Sequence, residues 1–411
     1  MKSIHGNAIP YHAMFDAAFR ADPFPFYDYL RREAPVVWDD VLQAWVVARA
    51  VDVEAILHNP QVFSSNRLAL GRQRFADPSL VPLFDVVERL MLQMDAPNHD
   101  RLRKLTAQAF KRKAIEGYAP LVEQLTRDLL APHANVGQMD FVDGFAVPLP
   151  VLVISAILGI PPQDRDQIKR WCDDFSIVAL NFYAKITDEQ LRAGQIAVAD
   201  FREYLRALAA DLRGRGGTDL LSTLIEAERE GERLSFDELL ANAILLLNAG
   251  NETTSILLIN AMYIMCTKPD VTAALRADRA LIPQMIEETL RYMPPVHFIG
   301  RLVTREASLG GEVLRKGDLL MIFLGSAGRD ADRYDDPDAF RLDQKKKAHV
   351  SFGTGPHVCL GLQLARLEAR VAINAMLDTF SSFELASTDL KFGPNLNLRC
   401  FAHLPLVTKA A

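Results

Sequence analysis

The stretch from Ser235 to Pro269 constrains the fold more than any other part of the chain. It opens on Ser235-Phe-Asp-Glu238, a capping box in which the serine side chain takes an N–H of the first turn and the glutamate returns the bond. Apolar residues then recur at helical spacing until Lys268-Pro269 stops the run. At 1.5 Å per residue this predicts a helix about 45 Å long. It is apolar around most of its circumference, which places it in a protein interior. A membrane span needs roughly 20 predominantly apolar residues in a row. Here Asn248, Asn251, Glu252, Thr253 and Thr254 interrupt the run midway, so the spacing predicts a buried central helix instead.

Two further helices are legible. One starts near Pro283 and stops at Pro294-Pro295; the other begins just after Cys359 and carries "LGLQLARLEARVAINAMLDTF". Strand signals are short, at "QAWVVAR" near the start and between Ile299 and Leu324. The fold class expected is mainly α with minor β, as a single domain over residues 1–411. No repeat or low-complexity linker divides the chain, and "RGRGGTD" (Arg213 to Asp219) reads as a surface turn. The net charge of -6 argues against a general nucleic-acid binder. The N-terminal residues show no signal peptide or membrane anchor, so a cytoplasmic location is expected. Cys172, Cys266, Cys359 and Cys400 are far apart and form no CxxC pair, which is neither a disulfide framework nor a zinc site.

One of these cysteines sits in an unusual loop, "SFGTGPHVCLG" from Ser351 to Gly361. Cys359 lies at the mouth of the third helix, where free N–H groups and the positive dipole end stabilise a thiolate. Gly353, Gly355 and Gly361 allow close backbone approach, and Phe352 is placed to shield the sulfur. A lone shielded thiolate is a good axial ligand for haem iron. Other readings remain open on spacing alone: a buried structural cysteine, or a nucleophile with His357 as its base. A phosphate loop fits less well, since Pro356 removes one N–H and no Lys-Ser/Thr follows the glycines.

The loop resembles the haem-binding signature of the cytochrome P-450 family, Phe-x-x-Gly-x-x-x-Cys-x-Gly, through Phe352, Gly355, Cys359 and Gly361. "MDAPNHDRLR", "AGNETT", "EETLR" and "RYDDPDAF" match further motifs of that family in order, over roughly Asp22 to Leu406. The resemblance implies the family's triangular, helix-rich fold with a small β-rich lobe. It also implies haem b (iron protoporphyrin IX) with Cys359 as the axial iron ligand and Phe352 and Gly361 beside it. His99, Arg103, Arg301 and His357 match positions that bind the haem propionates, a sensible pairing of cations with carboxylates. Ala249 and Gly250 leave room above a flat cofactor, and Gly250 otherwise weakens the helix by roughly 1 kcal/mol. Glu252 and Thr253 match the acid–alcohol pair that guides protons during oxygen activation. Without the resemblance they read as a satisfied polar kink, with Thr253 bonding back to its own helix.

Glu288 and Arg291 share a helical face three residues apart, and such pairs are commonly solvated. The resemblance makes them the family's buried structural pair. The chain departs from the family at Ala327-Gly328-Arg329-Asp330, where relatives often carry Asn, and this puts local packing in question.

No flavin, nicotinamide or iron–sulfur fingerprint is present, so electrons are expected from a ferredoxin-type donor with its NAD(P)H-dependent reductase. The basic islands Lys111–Lys113 and Gln344–His349 read either as solvated surface or as a docking face for such an acidic partner. The expected reaction inserts one oxygen atom from O2 into a hydrophobic small molecule, by a monomer that engages neither nucleic acid nor membrane. Substrate-facing candidates are Leu70, Ile177, Leu180, Asn181, Leu245, Asn248, Val296, Phe298 and Asn397, with His297 as a further polar anchor. A peroxide-driven or isomerising enzyme and a non-catalytic haem sensor are the alternatives. The retained Glu252–Thr253 pair argues against both.

Overall fold

The computed structural model describes residues 17–68, 78–179, 186–212, 219–229, 234–343, 348–393, 395 and 397–411. The chain divides into two compact units. One is built from Met1–Phe63, Ile115–Pro150 and Glu252–Ala411, the other from Ser64–Ala114 and Val151–Asn251.

The first unit carries the sheets. Val36–Asp39 pairs antiparallel with Ala44–Val47 across a turn in which Asp39 accepts the N–H groups of Val41 and Leu42. Ala44–Val47 then runs parallel to Leu319–Ile322, which pairs antiparallel with Ile299–Val303. All four residues of Ala44–Val47 are buried, as expected of a strand paired on both sides. Trp45, Val47, Val53, Ile56, Leu57, Val303, Leu320 and Ile322 fill the core between this sheet and the helix Ala50–Leu57. A second sheet orders Gln138–Asp140, Pro405–Ala410 and Phe380–Leu385 side by side. The helix Leu362–Thr379 runs directly into the last of these strands, where the sequence reading continued the helix to Phe380.

The second unit is helical. Arg165–Ala179 packs against Asp188–Leu212 through Trp171, whose ring lies 5.9 Å from those of Phe201 and Tyr204. Asn98–Thr106 starts after Pro97, as its sequence predicts. Of the turn expected at Arg213 to Asp219, residues 213–218 lie outside the described residues. Asp219 itself caps the next helix, accepting from the Ser222 N–H and hydroxyl at 2.8 and 2.7 Å.

The long helix spans Phe236–Thr267 and passes from the second unit into the first. Its capping box forms as predicted: Glu238 N–H donates to Ser235 Oγ at 3.2 Å, and Ser235 N–H to Glu238 Oε2 at 2.9 Å. No helix among the described residues is long and apolar enough to cross a membrane.

Candidate active site: a cysteine loop and an interrupted helix

Cys359 stands three residues before the helix Leu362–Thr379. Its N–H donates to the Phe352 carbonyl at 2.8 Å, closing the loop. Inside that closure Gly353 and Gly355 hold φ of +66° and +72°, values that L side chains rarely adopt. A Cβ at Gly355 would lie 2.4 Å from the Leu57 carbonyl oxygen, so only glycine lets the loop lie against the Ala50–Leu57 helix. A Cβ at Gly361 would meet nothing within 4 Å. Cys359, its neighbours Val358 and Leu360, and Gly361 are all half-buried despite being apolar or uncharged.

Behind the loop, the Arg366 guanidinium lies 4.9 Å from the Phe352 ring centre and grips Glu287 with two bonds of 2.7 Å. Burial opposes ionisation of Glu287, but His349 and Arg366 outweigh it and pull its carboxyl down to about 2. Ser351 Oγ donates to the Leu290 carbonyl at 2.6 Å, tying the loop to the helix Ile282–Tyr292. That helix carries Glu288 and Arg291, which are buried and joined by two bonds of 2.7 Å. The solvated reading of this pair is overturned, because three backbone carbonyls enclose the guanidinium. The departure at Gly328 has its reason here: a Cβ there would sit 2.4 Å from the Arg291 carbonyl oxygen.

Arg301 lies buried on the strand Ile299–Val303 with Nη1 donating to its neighbour's carbonyl at 2.8 Å; His357 is half-buried in the turn Gly355–His357. In the other unit, His99 is buried and Arg103 half-buried on one helix, with His99 Nδ1 2.9 Å from Asp100. Arg101 of the same helix holds Glu238, fixing that helix to the start of the long one.

Along the long helix, Leu239 to Leu247 are buried, and so are Thr254 to Met262. Ala249 and Glu252 between them are exposed and Thr253 is half-buried. At Gly250, the Cβ that the residue lacks would meet the Ile154 side chain at 3.0 Å, so the glycine admits Ile154.

Three substrate-facing candidates, Leu70, Leu180 and Asn181, lie outside the described residues, as do Gln344–Lys347. Ile177 and Val296 are half-buried, whereas Leu245 and Phe298 are buried, Phe298 with its ring 5.4 Å from Phe323. Asn248 is half-buried with Nδ2 unpaired among the described residues, and Asn397 is half-buried with its carbonyl accepting the His297 N–H at 2.7 Å. His297 lies in the core. It is 2% exposed, its Nδ1 pairs with the Tyr27 hydroxyl at 2.9 Å, and burial with Arg399 and Arg329 pushes its pKa well below the ordinary value. No sequence pattern links Tyr27 to His297, which lie 270 residues apart. A contact that the motifs did not indicate joins Asn395 to Glu252 (Nδ2 to Oε1, 3.5 Å).

These features fit an iron porphyrin. The thiol stands three residues before a helix start, in a loop turned by two glycines of positive φ. The donor set, one thiolate with arginines and histidines, matches an iron atom and a pair of carboxylates.

Comparison with known proteins agrees. Residues 55–397 match the family described as Cytochrome P-450. Cytochrome P-450 107B1 of Saccharopolyspora erythraea is 37% identical over 406 residues, covering 97% of this chain and 98% of the relative. The crystal structure of CalO2 is similar with a TM-score of 0.90 at 32% identity, covering 96% of this chain and 98% of that one. CYP109E1 from Bacillus megaterium, solved in complex with testosterone, has a TM-score of 0.84 at 31% identity, covering 95% of this chain and 99% of that one. With its fold, its cysteine loop and its sequence all in accord, the chain belongs to the cytochrome P-450 family of monooxygenases.

Proposed function

We propose that this enzyme oxidises a neutral, largely apolar small molecule, as a single-domain cytoplasmic monomer that takes electrons from a ferredoxin and its NAD(P)H-dependent reductase. The observation that carries the reading is the glycine-built loop that presents Cys359 at a helix start. When bound, haem b supplies the reductive activation of O2 that sends one oxygen atom to substrate and the other to water.

The chain's own residues do the rest. Cys359 would ligate the iron as a thiolate, stabilised by the helix dipole. Phe352 and Gly361 frame the sulfur, and Ala249 leaves space on the long helix. His99, Arg103, Arg301 and His357 neutralise the propionates. Thr253 would hold a proton donor through its hydroxyl, and Glu252, exposed and therefore hydrated, would exchange protons with solvent. Ile177, Leu245, Val296 and Phe298 give the substrate region an apolar character, with Asn248 and Asn397 as polar anchors. Leu70, Leu180 and Asn181 belong to the same proposal. CYP109E1 was solved with testosterone, a largely apolar ligand of the class proposed here.

The experiment is Thr253→Ala in a reconstituted ferredoxin system with a substrate found by its shift of the ferric spectrum. Haem content and substrate affinity stay at the parental level. Product per NAD(P)H falls by up to about 100-fold, the low end of what a positioned proton donor contributes, and hydrogen peroxide takes its place. Parental coupling would remove Thr253 from the relay and favour a sensing or peroxide-driven role.

A further inference from the structure

A charged pair stands behind the loop that presents Cys359. Glu287, on the helix Ile282–Tyr292, accepts two bonds of 2.7 Å from the Arg366 fork, and Arg366 stands on the helix Leu362–Thr379 that Cys359 precedes. The same guanidinium lies 4.9 Å from the Phe352 ring centre, within the range of a cation–π contact. We propose that Arg366, held by Glu287, is a positioning residue for the thiolate: it fixes the Phe352 ring, places a positive charge behind it, and so sets the reduction potential of the bound haem. This rests on the assignment of Cys359 as iron ligand and extends it to residues outside the loop.

The contacts form a chain from the pair to the thiol. Phe352 and Cys359 belong to one closed loop, because the Cys359 N–H donates to the Phe352 carbonyl at 2.8 Å. A guanidinium that makes two parallel bonds to a carboxylate is fixed in plane and direction, which a lysine ammonium would not be. His349 flanks both members of the arrangement, with a side chain only 7% exposed. Its ring centre lies 5.9 Å from that of Phe352, and its Nε2 is 3.3 Å from Glu287 Oε2, without the alignment of a hydrogen bond. Its Nδ1 accepts the Ser351 N–H at 3.3 Å, which puts a proton on Nε2, on the side of Glu287. Phe352 is thus in contact with the cation on one helix and with a histidine that approaches the anion on the other.

The charges of the pair act in opposite senses on the iron. Ferric haem carries one more positive charge than ferrous haem, so a cation beside the thiolate favours the reduced state and an anion favours the oxidised one. The Arg366 side chain is 30% exposed and that of Glu287 43%, so solvent screens both and the shift from either is moderate.

Holoenzyme of the parent, Arg366→Gln, Glu287→Gln and the double variant is titrated to redox equilibrium with small-molecule mediators, so that docking of a protein donor does not contribute. Arg366→Gln leaves the anion without its cation and lowers the potential. Glu287→Gln leaves the cation without its anion and raises it. At a fixed applied potential the ferrous-to-ferric ratio falls in the first and rises in the second by about threefold to tenfold, tenfold being about 59 mV for one electron. The double variant lies between the two. The opposed signs decide the matter, because both single variants break the same salt bridge, and a purely structural role would move them the same way or not at all. Shifts of one sign, or no shift, would overturn the proposal. Where one single variant fails to retain haem, the other and the double remain, and a double variant displaced further from the parent than that single one would overturn it as well. A thiolate-type carbon monoxide spectrum in Cys359→Ser would instead overturn the ligand assignment, and the role of Arg366 with it.

Discussion

Replacing Arg291 by methionine tests the architecture behind the cysteine loop. All five N–H groups of its guanidinium are engaged. Nε and Nη2 donate to the two Glu288 oxygens at 2.7 Å each, Nη1 donates to the carbonyls of Gly328 at 2.9 Å and Pro337 at 2.7 Å, and Nη2 also donates to Ala339 at 2.7 Å. The two side chains are 3% and 5% exposed, so water replaces none of these bonds. Arg291→Met strands a buried carboxylate, at a cost of about 3–5 kcal/mol. Against a typical total stability of about 5–15 kcal/mol, that leaves a marginal protein. Arg291→Lys keeps the charge but supplies three donors for five places, leaving at least two acceptors unmet at about 1–3 kcal/mol each. In Glu288→Gln/Arg291→Met both charges go, and the loss is smaller than the sum of the single losses. Denaturant unfolding followed by circular dichroism, with haem content of the purified protein, measures all of this. An Arg291→Lys protein within about 0.5 kcal/mol of the parent would refute the reasoning, since that is the scale of an exposed pair.

Gly355→Ala should lose stability and haem retention together, because its φ of +72° is disfavoured for alanine by about 1–2 kcal/mol and its Cβ meets the Leu57 carbonyl. Equal melting and haem content for variant and parent would refute that. Glu287→Gln tests a pH dependence with a defined sign. The folded carboxyl is depressed to about 2, so its stabilisation is complete above the ordinary range near 4.5 and disappears as pH falls through about 2. The parent should therefore lose stability relative to the variant across that window, and parallel acid-unfolding curves would remove Glu287 from the account. Cys359→Ser should abolish the thiolate-type spectrum of the reduced, carbon monoxide-bound protein, and an unchanged absorption maximum would mean that another residue ligates the iron.

Local periodicity made the helical half of this molecule legible. The capping box at Ser235, the stop at Pro269 and the i, i+3 face of Glu288 and Arg291 all depend on residues within one or two turns of each other. The strands were read less completely. Phe380–Leu385 follows its helix without a break and is defined by pairing with Pro405–Ala410, so its own sequence gave no sign that the helix had ended. His297 looked like a free polar group beside an apolar run, and only Tyr27, distant in sequence, shows it to be part of a buried aromatic cluster. Gly250 is a comparable case. A glycine in mid-helix announces a close approach, but not that the approaching group is Ile154.

The exposure pattern of the long helix bears on where the proposed relay can sit. Nine consecutive residues before Asn248 and nine from Thr254 onward are buried, and an ionised carboxylate at any of them would carry a large desolvation cost. At Glu252 that cost is absent, because the side chain is exposed. Thr253 is one residue further along and already half-buried. A relay needs one group in equilibrium with solvent and a neighbour able to hydrogen-bond without ionising, and this is the one stretch of the helix where both conditions meet. A hydroxyl meets the second condition because it donates and accepts while staying neutral.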